Sequence, residues 1–213
     1  MVQFGNPNLI REEELFANNY LTQGGVVIDI GANIGNFSLS ASQIVGKGGR
    51  IIAFEAHPDT ALYARRNFKL NNTQISLHSY ALGDKDGVVH FSSGVYDDVN
   101  HVIKNGGVAV SVKKLDDVQE VQELDHIDLL KIDVEGYELP VMEGAVVTLK
   151  KTSAVYFEVF EQQTKRYSYS AKDLFIFFER HGFAVMDPVT RVPLSAEKLS
   201  QTVVTNCLAL ARQ

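Results

Sequence analysis

Residues 26–46 read VVIDIGANIGNFSLSASQIVG, an apolar, β-branched run that breaks at Gly31 and resumes with helix-like spacing. Short runs of Val and Ile bounded by turn residues read as buried strands, and apolar positions three or four apart read as a helix. A strand, a glycine turn and a helix in that order aim the helix's first amides at the carboxyl end of the strand, where a ligand can be held.

The same alternation continues along the chain. Strands are expected at VVIDIG (26–31), RIIAFEA (50–56), ISLHSYAL (75–82), DLLKIDV (128–134), AVYFEVF (154–160), FAVMDP (183–188) and TNCLALA (205–211). Helices are expected over 36–46, 58–71, 138–151 and 170–181, with another near 10–22. Pro58 suits a helix start and Gly182 a helix end. Unbroken apolar strands alternating with helices describe an α/β domain, a mostly parallel sheet covered on both faces. Residues 83–118 differ: GDKDG is turn chemistry, and VVHFSS and VAVSVKKL read as extra strands of a small β insertion. About 16 residues join the last two strands, few for a right-handed crossover, so the final strand is expected to run antiparallel.

The chain has 213 residues, 45% of them hydrophobic and 22% charged, with no linker-like or repeated stretch. A single domain over 1–213 is expected: a helical segment at 1–24, a ligand-binding core at 25–160, and a part at 161–213 that completes the sheet. A net charge of −6 argues against nucleic acid as a partner, and Arg65, Arg66, Lys69, Lys113 and Lys114 read as solvated faces. No stretch approaches the length of a membrane span, and REEE at 11–14 breaks any signal-peptide pattern. The single cysteine, Cys207, has no disulfide or CxxC partner, which fits a cytoplasmic protein.

The loop GANIG lacks the second glycine of GxGxxG, and no GxxxxGK[ST] occurs. Asp29 stands two residues before the turn in a hydrophobic strand, where a carboxylate needs a cation or donors. It would repel a pyrophosphate and attract an ammonium or sulfonium. Glu55 ends the second strand, where a carboxylate accepts the hydroxyls of a ribose. Together these residues describe a site for an adenosine linked to an amino acid.

VVIDIGANIG resembles the S-adenosylmethionine-binding motif of class I methyltransferases, and AFEAHP resembles their acidic loop. ALGDKDG (81–87) followed by KIDVEGYE (131–138) resembles, more narrowly, the FkbM-type methyltransferases, which mostly methylate hydroxyls of sugars, polyketides and related metabolites. The resemblance implies a Rossmann-like, seven-stranded sheet of order 3-2-1-4-5-7-6. It implies that Gly31, Asn33 and Gly35 shape the turn around the methionine part, that Asp29 meets its ammonium directly or through water, and that Glu55, with Ala56 beside it, holds the ribose. Ala81 and Leu82 would flank the adenine, and Asp133 would close the pocket near the methyl donor. Glu12, Glu13 and Glu14 lie where family members often carry an acidic residue near the cofactor, their register open.

Methyl transfer to a hydroxyl needs positioning and a base within reach. Asp133, Glu135 and Glu158 crowd the expected carboxyl edge of the sheet and are candidates for base work, with His101 of the β insertion as a fourth. Glu135 and Glu138 also suit a helix's first turn. Oxygen ligands grouped this way could take a divalent metal, though the chemistry requires none. The expected partner is a small hydroxylated metabolite or sugar, with carbon and nitrogen acceptors open within the same class. A nicotinamide-dependent oxidoreductase, disfavoured by the broken GxGxxG, and a non-catalytic module on the same fold are the alternatives.

Overall fold

The computed structural model describes residues 7–91, 102–103, 107–200 and 205–212. Its strands are β1 (Val26–Ile30), β2 (Arg50–Phe54), β3 (Ser76–His78), β4 (Ala81–Leu82), β5 (Gly87–Phe91), β6 (Val102–Ile103), β7 (Val108–Lys113), β8 (Ile127–Ile132), β9 (Thr152–Val159), β10 (Phe183–Met186) and β11 (Thr205–Ala211). Its α-helices are α1 (Pro7–Tyr20), α2 (Asn36–Val45), α3 (Pro58–Leu70), α4 (Gln119–Gln122), α5 (Glu138–Glu143), α6 (Val146–Leu149), α7 (Glu161–Thr164), α8 (Ala171–Arg180) and α9 (Ala196–Ser200).

Seven strands form one sheet in the order β10-β11-β9-β8-β1-β2-β3. Counted along the chain this is 3-2-1-4-5-7-6, as the resemblance implies. Strands β1, β2, β3, β8 and β9 pair in parallel, and β11 runs antiparallel to both β9 and β10. The return from β10 is tight. Asp187 accepts the amides of Val189 and Thr190, and Met186 bridges Pro193, so the chain reverses without a crossover.

Strand alternation divides the core in two. Ile28, Ile30, Phe54, Leu130, Ile132, Val155 and Phe157 bury one face with residues of α5, α6 and α8, where Phe157 stacks on Phe178 at 4.6 Å. Val27, Ile51, Leu129, Ala154, Tyr156 and Leu208 bury the other with α1 and α2, where Phe16 stacks on Tyr156 at 4.4 Å. Apolar residues on both faces explain why these strands read as continuous hydrophobic runs.

Two expectations are corrected. The strand at 75–82 is two strands, because the chain leaves the main sheet at Tyr80, whose ring packs on Phe54 and His78, and Ala81–Leu82 joins a second sheet. The helix at 138–151 breaks after Glu143. A Cβ on Gly144 would stand 2.0 Å from the Gly83 carbonyl oxygen, and Asp116 starts α6 afresh by accepting the amides of Val147 and Thr148. Helices α4 and α7 were not expected, being too short to show a periodic pattern. The β insertion is a four-stranded sheet, order β4-β7-β5-β6, with β5 and β7 antiparallel. Among the described residues, no helix is long and apolar enough to cross a membrane.

Candidate active site

The glycine turn lies between the carboxyl ends of β1, β2 and β8. Gly31 and Ala32 both donate their amides to the Phe54 carbonyl at 2.9 Å, and Asp133 donates to the Ile30 carbonyl at 2.9 Å. This draws β8 against the turn so closely that a Cβ on Gly31, at φ +81, would stand 1.7 Å from the Asp133 carbonyl oxygen. Only glycine satisfies both the left-handed backbone and that approach. Gly35, at φ +91, opens α2 without a side-chain cap, and the Ser38 amide in the first turn is turned to Asp29.

Glu55 closes the turn from β2. Its Oε2 accepts the Asn33 amide at 2.9 Å and its Oε1 the His57 amide at 2.8 Å. A carboxylate offers about four lone-pair positions, so about two remain. Burial, the largest cause, pushes Glu55 up to about 7, against the pull of those two amides.

Beside the turn opens a cleft between the main sheet and the β insertion. Gly31, Asn33, Glu55, Ala56, Ala81, Leu82, Asp133 and Glu135 line it, as do Phe54, Thr60, Tyr80, Val89, Phe91 and Tyr137. Sequence reasoning missed the second group except Tyr137, which the sequence suggests as part of an acceptor pocket. Val89 and Phe91 come from the β insertion, and their apolar alternation in VVHF was the signal that this small sheet has a covered face. Of the other expected residues, Gly35 shapes the turn without lining the cleft, and His101 lies outside the described residues. His57 is buried and serves through its backbone.

Asp29 also departs from the cleft. It is fully buried beneath the turn, with Ser38 Oγ donating to Oδ2 at 2.5 Å and Oδ1 without a hydrogen-bond partner. Its neighbour across the ladder is Lys131, the first residue of KIDVEGYE, for which the sequence suggested no role. The Lys131 side chain is 4% exposed and its Nζ lies 3.4 Å from Glu13, 3.9 Å from Asp29 and 3.4 Å from Asp133. Burial pulls the lysine down, but Glu13, Asp133 and Asp29 together hold it above its usual range. Three carboxylates around one ammonium leave negative charge over: burial pushes Glu13 up to about 7, and it raises Asp29 as well. Of Glu12, Glu13 and Glu14, Glu13 is the one paired with Lys131.

Further along the edge, Glu135 sits at φ +54 and Gly136 at φ +95, a turn held by the Gln163 amide donating to Glu135 Oε2. Glu138 is sealed in: its Oε1 accepts the Gly136 amide at 3.0 Å, and its Oε2 lies 2.9 Å from Tyr169 Oη, which is itself 2.7 Å from the Gly136 carbonyl. A phenol has one proton, so both tyrosine contacts hold together when Glu138 carries the other; burial pushes Glu138 up to about 7. Glu158, on β9, is half-buried and makes no hydrogen bond among the described residues. Burial first, then the charges of Asp133, Glu135, Glu138 and Glu13, push it up to about 8. Among the described residues no group of three or more His, Cys, Asp or Glu is arranged to hold a metal.

Comparison with known proteins places this geometry. The fold resembles the precorrin-6y C5,15-methyltransferase of Geobacter metallireducens, with a TM-score of 0.56 over 98% of this chain and 90% of that one at 14% identity. The sequence is 28% identical over 158 residues to the 2-O-methyltransferase NoeI of Sinorhizobium fredii, covering 65% of this chain and 64% of that protein. It is 28% identical over 137 residues to the hexuronic acid methyltransferase AglP of Haloferax volcanii, covering 63% of this chain and 55% of that protein. The chain thus spans less than two thirds of the length of these curated relatives. The sequence model of the methyltransferase FkbM domain matches residues 29–185, well over half of the chain, and the chain belongs to the FkbM methyltransferase family.

Proposed function

We propose that this protein transfers a methyl group from S-adenosylmethionine to a hydroxyl of a sugar or related small metabolite. The observation that carries the reading is Glu55, fixed by the Asn33 and His57 amides with its remaining acceptor positions at the cleft. Two neighbouring ribose hydroxyls need such a carboxylate. The surroundings suit the rest of that ligand. Tyr80, Leu82, Val89 and Phe91 give an apolar wall for adenine. Around Lys131, negative charge in excess, with Asp133 at the cleft, gives a place for a second cation, the ammonium of the methionine part. When bound, S-adenosylmethionine supplies a methyl group made electrophilic by its cationic sulfur.

The chain's own contribution is then to orient and to handle a proton. The glycine turn and Glu55 fix the nucleoside, and the carboxylates at the ends of β8 and β9 stand where an acceptor hydroxyl would approach. The relatives named for 2-O-methylation and for hexuronic acid support a sugar-like acceptor.

Calorimetry with S-adenosylhomocysteine tests the cofactor, and transfer of labelled methyl to L-fucose, D-glucose and D-glucuronic acid tests the acceptor class. Absence of S-adenosylhomocysteine binding, with a thermal shift on adding NAD, would return the site to nicotinamide chemistry. Binding without transfer to any of a broad hydroxyl panel would make the chain a non-catalytic module.

A further inference from the structure

We propose that Glu158 is the general base that takes the acceptor's proton, an assignment that rests on the methyltransferase reading above. Four other carboxylates crowd the same edge, and each is committed elsewhere. Asp133 and Glu13 both lie 3.4 Å from Lys131. Glu135 accepts the Gln163 amide in a left-handed turn. Glu138 is 2% exposed behind Tyr169. Glu158 alone of the five combines solvent access with no hydrogen bond among the described residues.

Its place in the sheet is equally specific. Ile132 pairs with Phe157 in the parallel ladder of β8 and β9, so Asp133 and Glu158 are the next pair beyond it, on one face of the sheet. Asp133 lines the cofactor cleft. Glu158 therefore stands one strand further out, on the side from which an acceptor would reach a methyl group presented over β8. On β11, its neighbour in register is Asn206, which cannot neutralise it. The charged groups facing it are Asp133 from the end of β8, Glu135 and Glu138 from the turn into α5, and Glu13 from α1; Lys131, on the same face of β8, is already taken by three carboxylates.

In the step this implies, an acceptor oxygen forms the new C–O bond with an electron pair, the S–C bond breaks with its pair passing to sulfur, and the hydroxyl proton goes to Glu158, which later returns it to solvent. A carboxylate near 4 would be a weak partner for that proton. Partly buried and ringed by like charges, this one is held in working range. The positive charge of a bound methyl donor should draw its midpoint down again, so that the residue ionises as the site fills.

The direct test is carbon NMR of protein labelled at the glutamate side-chain carboxyls, with the Glu158 signal assigned by its loss in Glu158→Gln. In the free protein its midpoint is expected near 8, falling on addition of S-adenosylmethionine. Glu158→Gln should bind S-adenosylhomocysteine within about twofold of wild type, while transfer to the best-methylated sugar of the panel falls by about 100-fold or more and loses its rise with pH. An ordinary carboxylate midpoint between 4 and 5 in the free protein would overturn the assignment. So would a Glu158→Gln enzyme that keeps more than a tenth of the rate. Should that variant fail to fold, Glu158→Asp serves to assign the resonance, and the titration of the wild-type protein still decides. Failure of S-adenosylhomocysteine to bind the wild type would instead strike the methyltransferase reading itself.

Discussion

Replacing Lys131 by methionine should destabilise the protein in proportion to pH. The side chain is nearly sealed, and its three carboxylate partners lie within 3.4 to 3.9 Å. At about 4 Å and an effective dielectric constant of about 20, each such pair is attracted by roughly 4 kcal/mol before the cost of leaving water. Removing one partner from a buried ionic group typically costs about 3 to 5 kcal/mol, because the remaining charges lose their compensation. That is a large share of a domain's total stability, about 5 to 15 kcal/mol.

The pH dependence follows from Glu13, which burial lifts from its ordinary 4.5 to about 7. Its folded form holds a proton the unfolded chain has released, so stability drops as pH rises through that window. Without Lys131, the pull that lowers Glu13 disappears, its midpoint climbs further, and the decline continues above 7. The difference between wild type and Lys131→Met should therefore be largest at pH 8 and smaller by about 1 kcal/mol or more at pH 5, where Glu13 is protonated in both. Urea unfolding at pH 5, 6, 7 and 8 measures it. A loss below about 1 kcal/mol, or one that does not change with pH, would refute the picture of Lys131 as the counter-ion of a crowded acidic nucleus.

Gly31→Ala and Gly182→Ala share a left-handed backbone, at φ +81 and +83, but differ in crowding, since nothing lies within 4 Å of a Cβ at Gly182. Urea midpoints should show about 1 kcal/mol lost at Gly182 and about 3 kcal/mol or more at Gly31, where the Asp133 carbonyl must move. Glu55→Gln exchanges one acceptor oxygen for a donor, so calorimetry should show S-adenosylhomocysteine binding weakened by about 10- to 100-fold, the value of one or two hydrogen bonds to a charged group. Tyr169→Phe leaves the Gly136 carbonyl short of a donor and the protonated Glu138 short of an acceptor, and should cost about 1 to 3 kcal/mol in thermal or urea unfolding.

Much of this architecture was legible in the residues. Apolar strands around a glycine turn gave the sheet, the short connection before residue 205 gave the antiparallel β11, and Glu55 at the end of its strand gave a carboxylate that lines the cleft. What escaped the sequence depends on contacts between distant segments. Tyr80 ends β3 because Phe54 and His78 receive its ring, and Gly144 breaks a helix because the loop at Gly83 presses against it. Neither partner can be read locally. The charge cluster did leave a trace: Lys131 interrupts the apolar run DLLKI, and a lysine in a buried strand demands carboxylates. Asp29 was read as a ligand contact because it precedes the turn, whereas its first partners are Ser38 and that lysine.

The insertion of β11 between β9 and β10 also sets an order on synthesis. From Ala154 to Val159, β9 offers an apolar edge whose partners, Thr205 to Leu210, are made only after β10 itself. Until they arrive, β10 has no neighbour in the sheet, and the growing chain carries an open strand edge next to a nearly finished core. Translation that stalls near residue 200 would thus leave an intermediate with its turn and cleft residues already present, yet prone to pair with other nascent chains.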